Sequence, residues 1–428
     1  MLCGVLAIVS AEAAVERNIE DALRGEIGAT SVKELPQSVG YKGKYLIDIV
    51  QDVDHEDGDA GTFTQRVVVM HRGYDRPTVL VTEGYSANWA LSETYDEELA
   101  KYFDCNVVFV EHRFFGESRP EGCPWEYMTE TNALADLHSV RQLFGKIYDG
   151  KWIATGISKG GETTIEYCAY YPEDVDVYVP YVGPLCFTRR DKRQVELISE
   201  VKPVEVREAV EALQHEAMER KDSLLADFEV YCLRNNCYPW RVSVEDLYDL
   251  CVLEYAYAFF QWYDAAKVPG KAELLSDEDV LAPIAEMASY FTRVDSDMTA
   301  FFYQAAYEQG YYAYDAKPFK DDMSQRLAKR YLKKVFLPYD LRSVRYHRKV
   351  SRSVKKWLKK NDPHMVLIYG EVDPWTGAGV TWLEDKQNVK VFIKTGGSHL
   401  TRINNMEEGQ REEVLTLLSE ILGIKAKR

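Results

Sequence analysis

The 428-residue sequence contains no H-E-x-x-H and no paired C-x-x-C, the spacings that mark a helix-borne catalytic zinc or a thiolate zinc site. No metal and no other cofactor is therefore expected. Apart from the N-terminus, no stretch reaches the ~20 apolar residues of a membrane span, so stable membrane insertion is not expected. Positive charge is in short supply. Lys and Arg number 52 against 69 Asp and Glu, a formal net charge of -17. A general nucleic-acid binder displaces counterions with basic patches, and the strongest candidate is the run KVSRSVKKWLKK at 349–360. Its spacing reads as the solvated face of an amphipathic helix, so no nucleic-acid partner is expected. Cysteines number eight. Cys232 and Cys237 are near enough in sequence to pair, but spacing alone fixes no disulfide. There is no internal repeat and no low-complexity segment.

What remains is a chain long enough for a sizeable core, with an ordinary 46% of hydrophobic residues. The length fits one catalytic domain carrying a large insertion as well as two domains. The N-terminus, MLCGVLAIVSAEAA, is a short apolar run ending in the small-x-small pattern Ala11-Glu12-Ala13. It lacks a basic leading segment. Residues 1–14 are read as an export signal, and the mature protein is expected to be periplasmic or secreted.

From residue 45 to 182, strand and helix patterns mostly alternate. Strands are predicted over 46–53 and 63–70, joined by an acidic turn at Asp57-Gly58, and over 78–82, 106–110, 152–155 and 175–182. TVLVT at 78–82 is continuously apolar, as in a strand covered on both faces. Helices are predicted over 91–102, 132–144 and 163–171. Residues 187–360 then show helical periodicity with almost no strand signal. Strands return at 365–369 and 389–393, followed by a helix over 408–422. This order predicts an α/β fold of the α/β-hydrolase type, a mostly parallel sheet with helices on both faces and a large helical cap inserted. The catalytic core is placed at 15–186 and 361–428, and the cap at 187–360.

Gly156-Ile157-Ser158-Lys159-Gly160 matches G-x-S-x-G between a predicted strand and a predicted helix, the context the motif requires. A nucleophile on so sharp a turn needs neighbours without side chains at minus two and plus two. The turn also aims backbone N–H groups at the substrate oxygen. Ser158 is thus the predicted nucleophile. In this fold the acid and the base follow the serine. His215 and His347 fall in the helical block, and His364 precedes its strand. His399 follows the last strand through Thr395-Gly396-Gly397-Ser398, at the edge where strand C-termini gather, and is the predicted base. Asp373, directly after the strand 365–369, is the predicted orienting acid, ahead of Glu371 and Asp385. The oxyanion hole is assigned to the Lys159 N–H and to Gly84 or Tyr85 in the loop after TVLVT. That loop lacks the His-Gly-Gly-Gly run of lipases. The EHRFFGES segment at 111–118 contains His112, which precedes the serine and reads better as part of a packed loop held by an Arg–Glu pair.

On Thr82-Glu83-Gly84, EHRFFGES, GISKGG at 156–161, residues 370–375, Gly397-Ser398-His399 and the aromatic LEYAYAFFQWY segment at 253–263, the chain resembles a family of serine peptidases. This is the secreted tripeptidyl-aminopeptidase family, family thirty-seven, related to lysosomal Pro-X carboxypeptidase and dipeptidyl peptidase II. The resemblance spans most of the chain from about residue 45. It implies release of short peptides from free N-termini under a screening cap, with peptides as the partners. A substrate ammonium shut under a cap needs a carboxylate. Glu83 and Glu254 are the candidates for that contact, and Trp262 is a third candidate substrate-binding residue. A carboxylic-ester hydrolase would use the same triad. A binding protein on a hydrolase scaffold would not be expected to keep all three members.

Overall fold

The computed structural model describes residues 17–36 and 39–427. The predicted export signal at 1–14 lies outside the described residues. Among the described residues, nine strands form a single sheet: β1 Ser31–Glu34, β2 Gly43–Asp52, β3 Thr62–His71, β4 Thr78–Thr82, β5 Asn106–Val110, β6 Trp152–Ile157, β7 Val177–Tyr181, β8 Met365–Gly370 and β9 Val389–Lys394. Their order is β1-β2-β3-β5-β4-β6-β7-β8-β9. The pairs β1–β2, β2–β3 and β3–β5 are antiparallel. From β5 to β9 every pair is parallel. The predicted hairpin at Asp57-Gly58 is the β2–β3 connection. β1 escaped the sequence reading because SVKE, a largely exposed edge strand, has no apolar alternation to reveal it.

Both faces of the parallel part are covered. Leu80 of β4 joins one core with Leu134, Leu137, Val140 and Phe144 of the helix Glu130–Phe144. Val79 and Val81 join the opposite core with Leu99, Phe103, Val414 and Leu418. All five residues of β4 are buried, which explains its unbroken apolar pattern. The chain has the α/β-hydrolase fold.

The helix predicted over 91–102 is shorter, Glu98–Phe103, with the Glu97 carboxylate accepting from Ala100 N–H at 2.7 Å. Ahead of it the Ser92 hydroxyl engages the Thr94 hydroxyl at 2.9 Å and the Thr94 N–H at 3.3 Å. Such local bonds draw the backbone away from helix. Between β7 and β8 lies the helical block, with its own core built around the helix Val244–Gln261. Its predicted end at 360 is corrected. The helix Lys349–Lys360 buries Val350, Val354 and Leu358 in the sheet core beside Leu367 and Tyr369, so the core resumes near 349. Most of its basic residues face water.

Among the described residues the cysteines are free thiols, Cys232 and Cys237 included. No described helix is long and apolar enough to cross a membrane.

Candidate active site

β6 ends at Ile157, and the next helix starts at Lys159 rather than at 163. Ser158 between them has φ 59° and ψ -119°, a conformation that non-glycine residues rarely adopt. The surroundings leave it no alternative. Ser158 N–H donates to Tyr181 O at 2.9 Å, and Glu162 N–H donates to Ser158 O at 2.9 Å. A Cβ on Gly156 would lie 2.3 Å from Gly160 O, and one on Gly160 would lie 2.6 Å from the Thr82 and Glu83 carbonyls. A Cβ on Gly161 would meet Tyr181 O at 2.6 Å. The three glycines therefore let the elbow pack directly on the backbones of the loop after β4 and of β7. Low glycine propensity hid the first turn of this helix from the sequence reading.

Gly84, at φ 78°, brings the loop after β4 against the backbone of Lys159 and Gly160. The first N–H groups of a helix have no intrahelical acceptor, so the Lys159 N–H is free to face a substrate oxygen. The Tyr85 hydroxyl lies beside the Ser158 side chain, and burial raises its pKa. The Tyr85 ring packs on Phe115, at 5.8 Å between centroids, and on Phe301 of the cap, at 5.7 Å.

Asp373 follows β8 and is fully buried. One oxygen accepts from Trp375 N–H at 3.1 Å, and the other lies 2.7 Å from Nδ1 of His399. His399 is also buried, donates its N–H to Gln261 O at 3.0 Å, and sits edge-on to the Trp262 ring at 5.7 Å. The structure thus joins Asp373 to His399. It gives Glu371 a different task, accepting from Gly396 N–H at 2.8 Å, and leaves Asp385 exposed. His112 is buried with Nδ1 2.9 Å from the Arg113 carbonyl, and burial together with Lys159 holds its pKa well below the usual histidine range. Around it Arg66 pairs with Glu111 at 2.7 Å and Arg113 with Asp136 at 2.6 Å, which fixes the EHRFFGES loop.

A cavity of about 620 Å³ opens between core and cap, its walls including Ser158, Tyr85, Lys159, Glu254, Gln261 and Trp262. Glu254 is buried, and its carboxylate accepts from the Tyr312 hydroxyl at 2.9 Å and from the Tyr314 hydroxyl. Burial lifts its pKa to about 7 against the pull of those bonds. Glu83 is not in this cavity. It lines a separate recess with Trp89, Tyr95 and Arg402, and burial pushes its pKa to about 8. Adjacency in sequence to Tyr85 misled here, because the chain turns at Gly84, φ 78°, between the two residues.

The sequence reading also missed Glu162, which lines the cavity one turn into the elbow helix, and the side chain of Lys159. Nζ of Lys159 is buried with no hydrogen-bond partner among the described residues, 5.4 Å from the Phe115 ring centroid. Burial lowers its pKa, opposed by Glu130, Glu162 and Glu166. Their places in the G-x-S-x-G context were visible, but nothing in the sequence showed which way either side chain points.

A serine on a strained elbow at the wall of a cavity and a buried Asp–His pair are residue types that acyl transfer uses. The model of the PS-10 peptidase S37 family matches residues 12–424. The chain belongs to this family. As an S37 peptidase it is a serine hydrolase acting on peptide bonds. Along 99% of its length and 90% of the relative's, it is 27% identical to the prolyl tri/tetrapeptidyl aminopeptidase of Streptomyces mobaraensis. Over 28% of this S37 chain and 29% of the other protein, it is 28% identical to a probable serine protease, EDA2, of Arabidopsis thaliana. Among solved structures, a proline iminopeptidase of Mycobacterium smegmatis is similar at 14% identity and a TM-score of 0.42, with 92% of this chain and 99% of that one covered.

Proposed function

We propose that this peptidase is an exopeptidase that releases short peptides, tripeptides foremost, from free N-termini. Ser158 attacks the scissile carbonyl and His399 takes its proton. Asp373 holds the imidazole tautomer and stabilises the imidazolium, and the N–H groups of Lys159 and of Gly84 or Tyr85 receive the oxyanion. The first product leaves, and water then releases the acyl group. The observation that carries the reading is Glu254, a buried carboxylate that shares the Ser158 cavity. An ammonium entering that cavity loses its water, and a carboxylate held by two tyrosine hydroxyls offers the compensation. The ammonium in turn favours the ionised form of a group that burial holds near pH 7. The name of the Streptomyces mobaraensis relative supports the same reading.

N-acetylation of a good tripeptide nitroanilide removes the charge. kcat/KM is expected to fall by about tenfold or more, the scale of losing one buried charged partner. Glu254→Gln should remove most of that discrimination, and Glu83→Gln should leave it in place. Equal cleavage of free and acetylated substrates would overturn the exopeptidase reading.

Export is part of the proposal and rests on the AEA pattern at 11–13. The mature chain is expected to begin near Ala14 and to fractionate with the periplasm or medium. N-terminal sequencing that finds Met1 on protein from the cytoplasm would refute it.

A further inference from the structure

We infer that the cap carries a second binding site, for a small polyanion bearing several phosphate-type groups. A recess of about 420 Å³ is lined by Arg189, Arg190, Lys329, Arg330, Lys333, Lys334 and Arg342, with Leu332 as the one residue that is not Lys or Arg. The concentration is notable for a chain with 69 acidic residues against 52 basic ones. It is not the solvated face of one helix, because three separate segments converge on it. Lys329 to Lys334 come from the helix Gln325–Phe336, whose Leu327, Tyr331, Leu332 and Val335 are buried on the other side. Arg342 returns from a turn after that helix. Arg189 and Arg190 come from the segment that follows β7, held in place by Tyr311 N–H to Arg189 O at 3.2 Å and Asp191 N–H to Tyr311 O at 2.7 Å.

Five of these seven side chains are half-buried, and only Lys329 and Arg330 are exposed. Like charges drawn partly out of water repel one another more strongly than on an open surface. The pKa of Lys333 is lowered by burial and by Arg189. The bonds that fix the group leave most of its charge uncompensated. Lys333 Nζ donates to Val344 O at 2.8 Å, and Arg342 donates to Lys334 O at 2.7 Å and Leu337 O at 3.1 Å. Lys334 meets a carboxylate, Asp246, at 3.0 Å. Capping of the carbonyls at the helix end accounts for Arg342. It does not account for Arg189, Arg190, Lys329 or Arg330. No hydrogen bond or salt bridge to the side chains of Arg189 and Arg190 is present among the described residues.

The shape favours a small ligand. The volume falls within the roughly 300–1,000 Å³ of small-molecule sites. A long polyanion would have to continue across a surface whose net charge is -17. A compact polyanion ends where the basic lining ends, and phosphate oxygens match guanidinium donors in pairs.

Tripolyphosphate is the probe, titrated calorimetrically into the full chain at about 0.15 M salt. Saturable one-to-one binding is expected, tighter than for orthophosphate. R189Q/R190Q and K329Q/R330Q should each weaken it by about tenfold or more. The second pair is exposed, so its effect is read on folded protein. R352Q/K356Q, on the basic run at 349–360 outside the recess, should leave affinity unchanged. No saturable binding, unaltered affinity in both recess variants, or an equal loss in R352Q/K356Q would overturn the site. So would binding of duplex DNA or anionic vesicles with tripolyphosphate inert.

Discussion

Ser158→Ala is expected to abolish turnover and fluorophosphonate labelling together, with a loss in kcat of about 10⁶, the scale found when a serine nucleophile is removed. The size follows from the elbow. Holding a non-glycine residue at φ 59° costs on the order of 1–3 kcal/mol. The fold retains that strain through the Ser158–Tyr181 and Glu162–Ser158 bonds and through three glycines seated on neighbouring backbone. The conformation exposes Oγ at the end of β6 instead of burying it in the helix. Alanine keeps the backbone and its bonds and removes only Oγ. The melting temperature should therefore change little, which separates lost chemistry from lost fold. Labelling that persists in Ser158→Ala would place the nucleophile elsewhere.

The sheet was legible where side-chain pattern and burial coincide. TVLVT, NVVFV and MVLIY are apolar because helices cover both faces, and the structure places β4, β5 and β8 there. The elbow was legible because steric need dictates glycine at fixed offsets, and chain order placed His399 and Asp373 beyond it. Direction within a loop was not legible. Glu83 and Gly84 are adjacent, yet one faces the recess with Trp89 and the other presses on the nucleophile helix. Contacts across the cap were equally hidden. Glu254 meets Tyr312 and Tyr314 some sixty residues away, and the basic recess joins residues 189–190 to 329–342. Nothing local in either segment announces the partner. The cap boundary slipped for a related reason. KVSRSVKKWLKK has the same helical period whether its Val350, Val354 and Leu358 stripe packs on cap or sheet.

His399→Ala is the sharper test of the site, because it sets two buried histidines against each other. Both have one ring nitrogen engaged. In His399 the engaged nitrogen is Nδ1, 2.7 Å from a fully buried carboxylate. That bond fixes the tautomer with Nε2 as acceptor and stabilises the ring once it takes a proton. In His112 the engaged nitrogen meets a backbone carbonyl, which orients the ring but brings no counter-charge. Burial and the neighbouring Lys159 keep His112 from protonating, so it is a poor proton acceptor in mid-reaction. kcat should fall by about 10⁴ or more in His399→Ala with stability largely kept. Asp373→Asn should approach the same loss, because an amide favours the wrong tautomer and supplies no charge. His112→Ala should act mainly by lowering the melting temperature, since its ring packs against Phe115 beneath the oxyanion loop. A His112 variant that is folded but inactive, beside an active His399 variant, would reverse the assignment of the base.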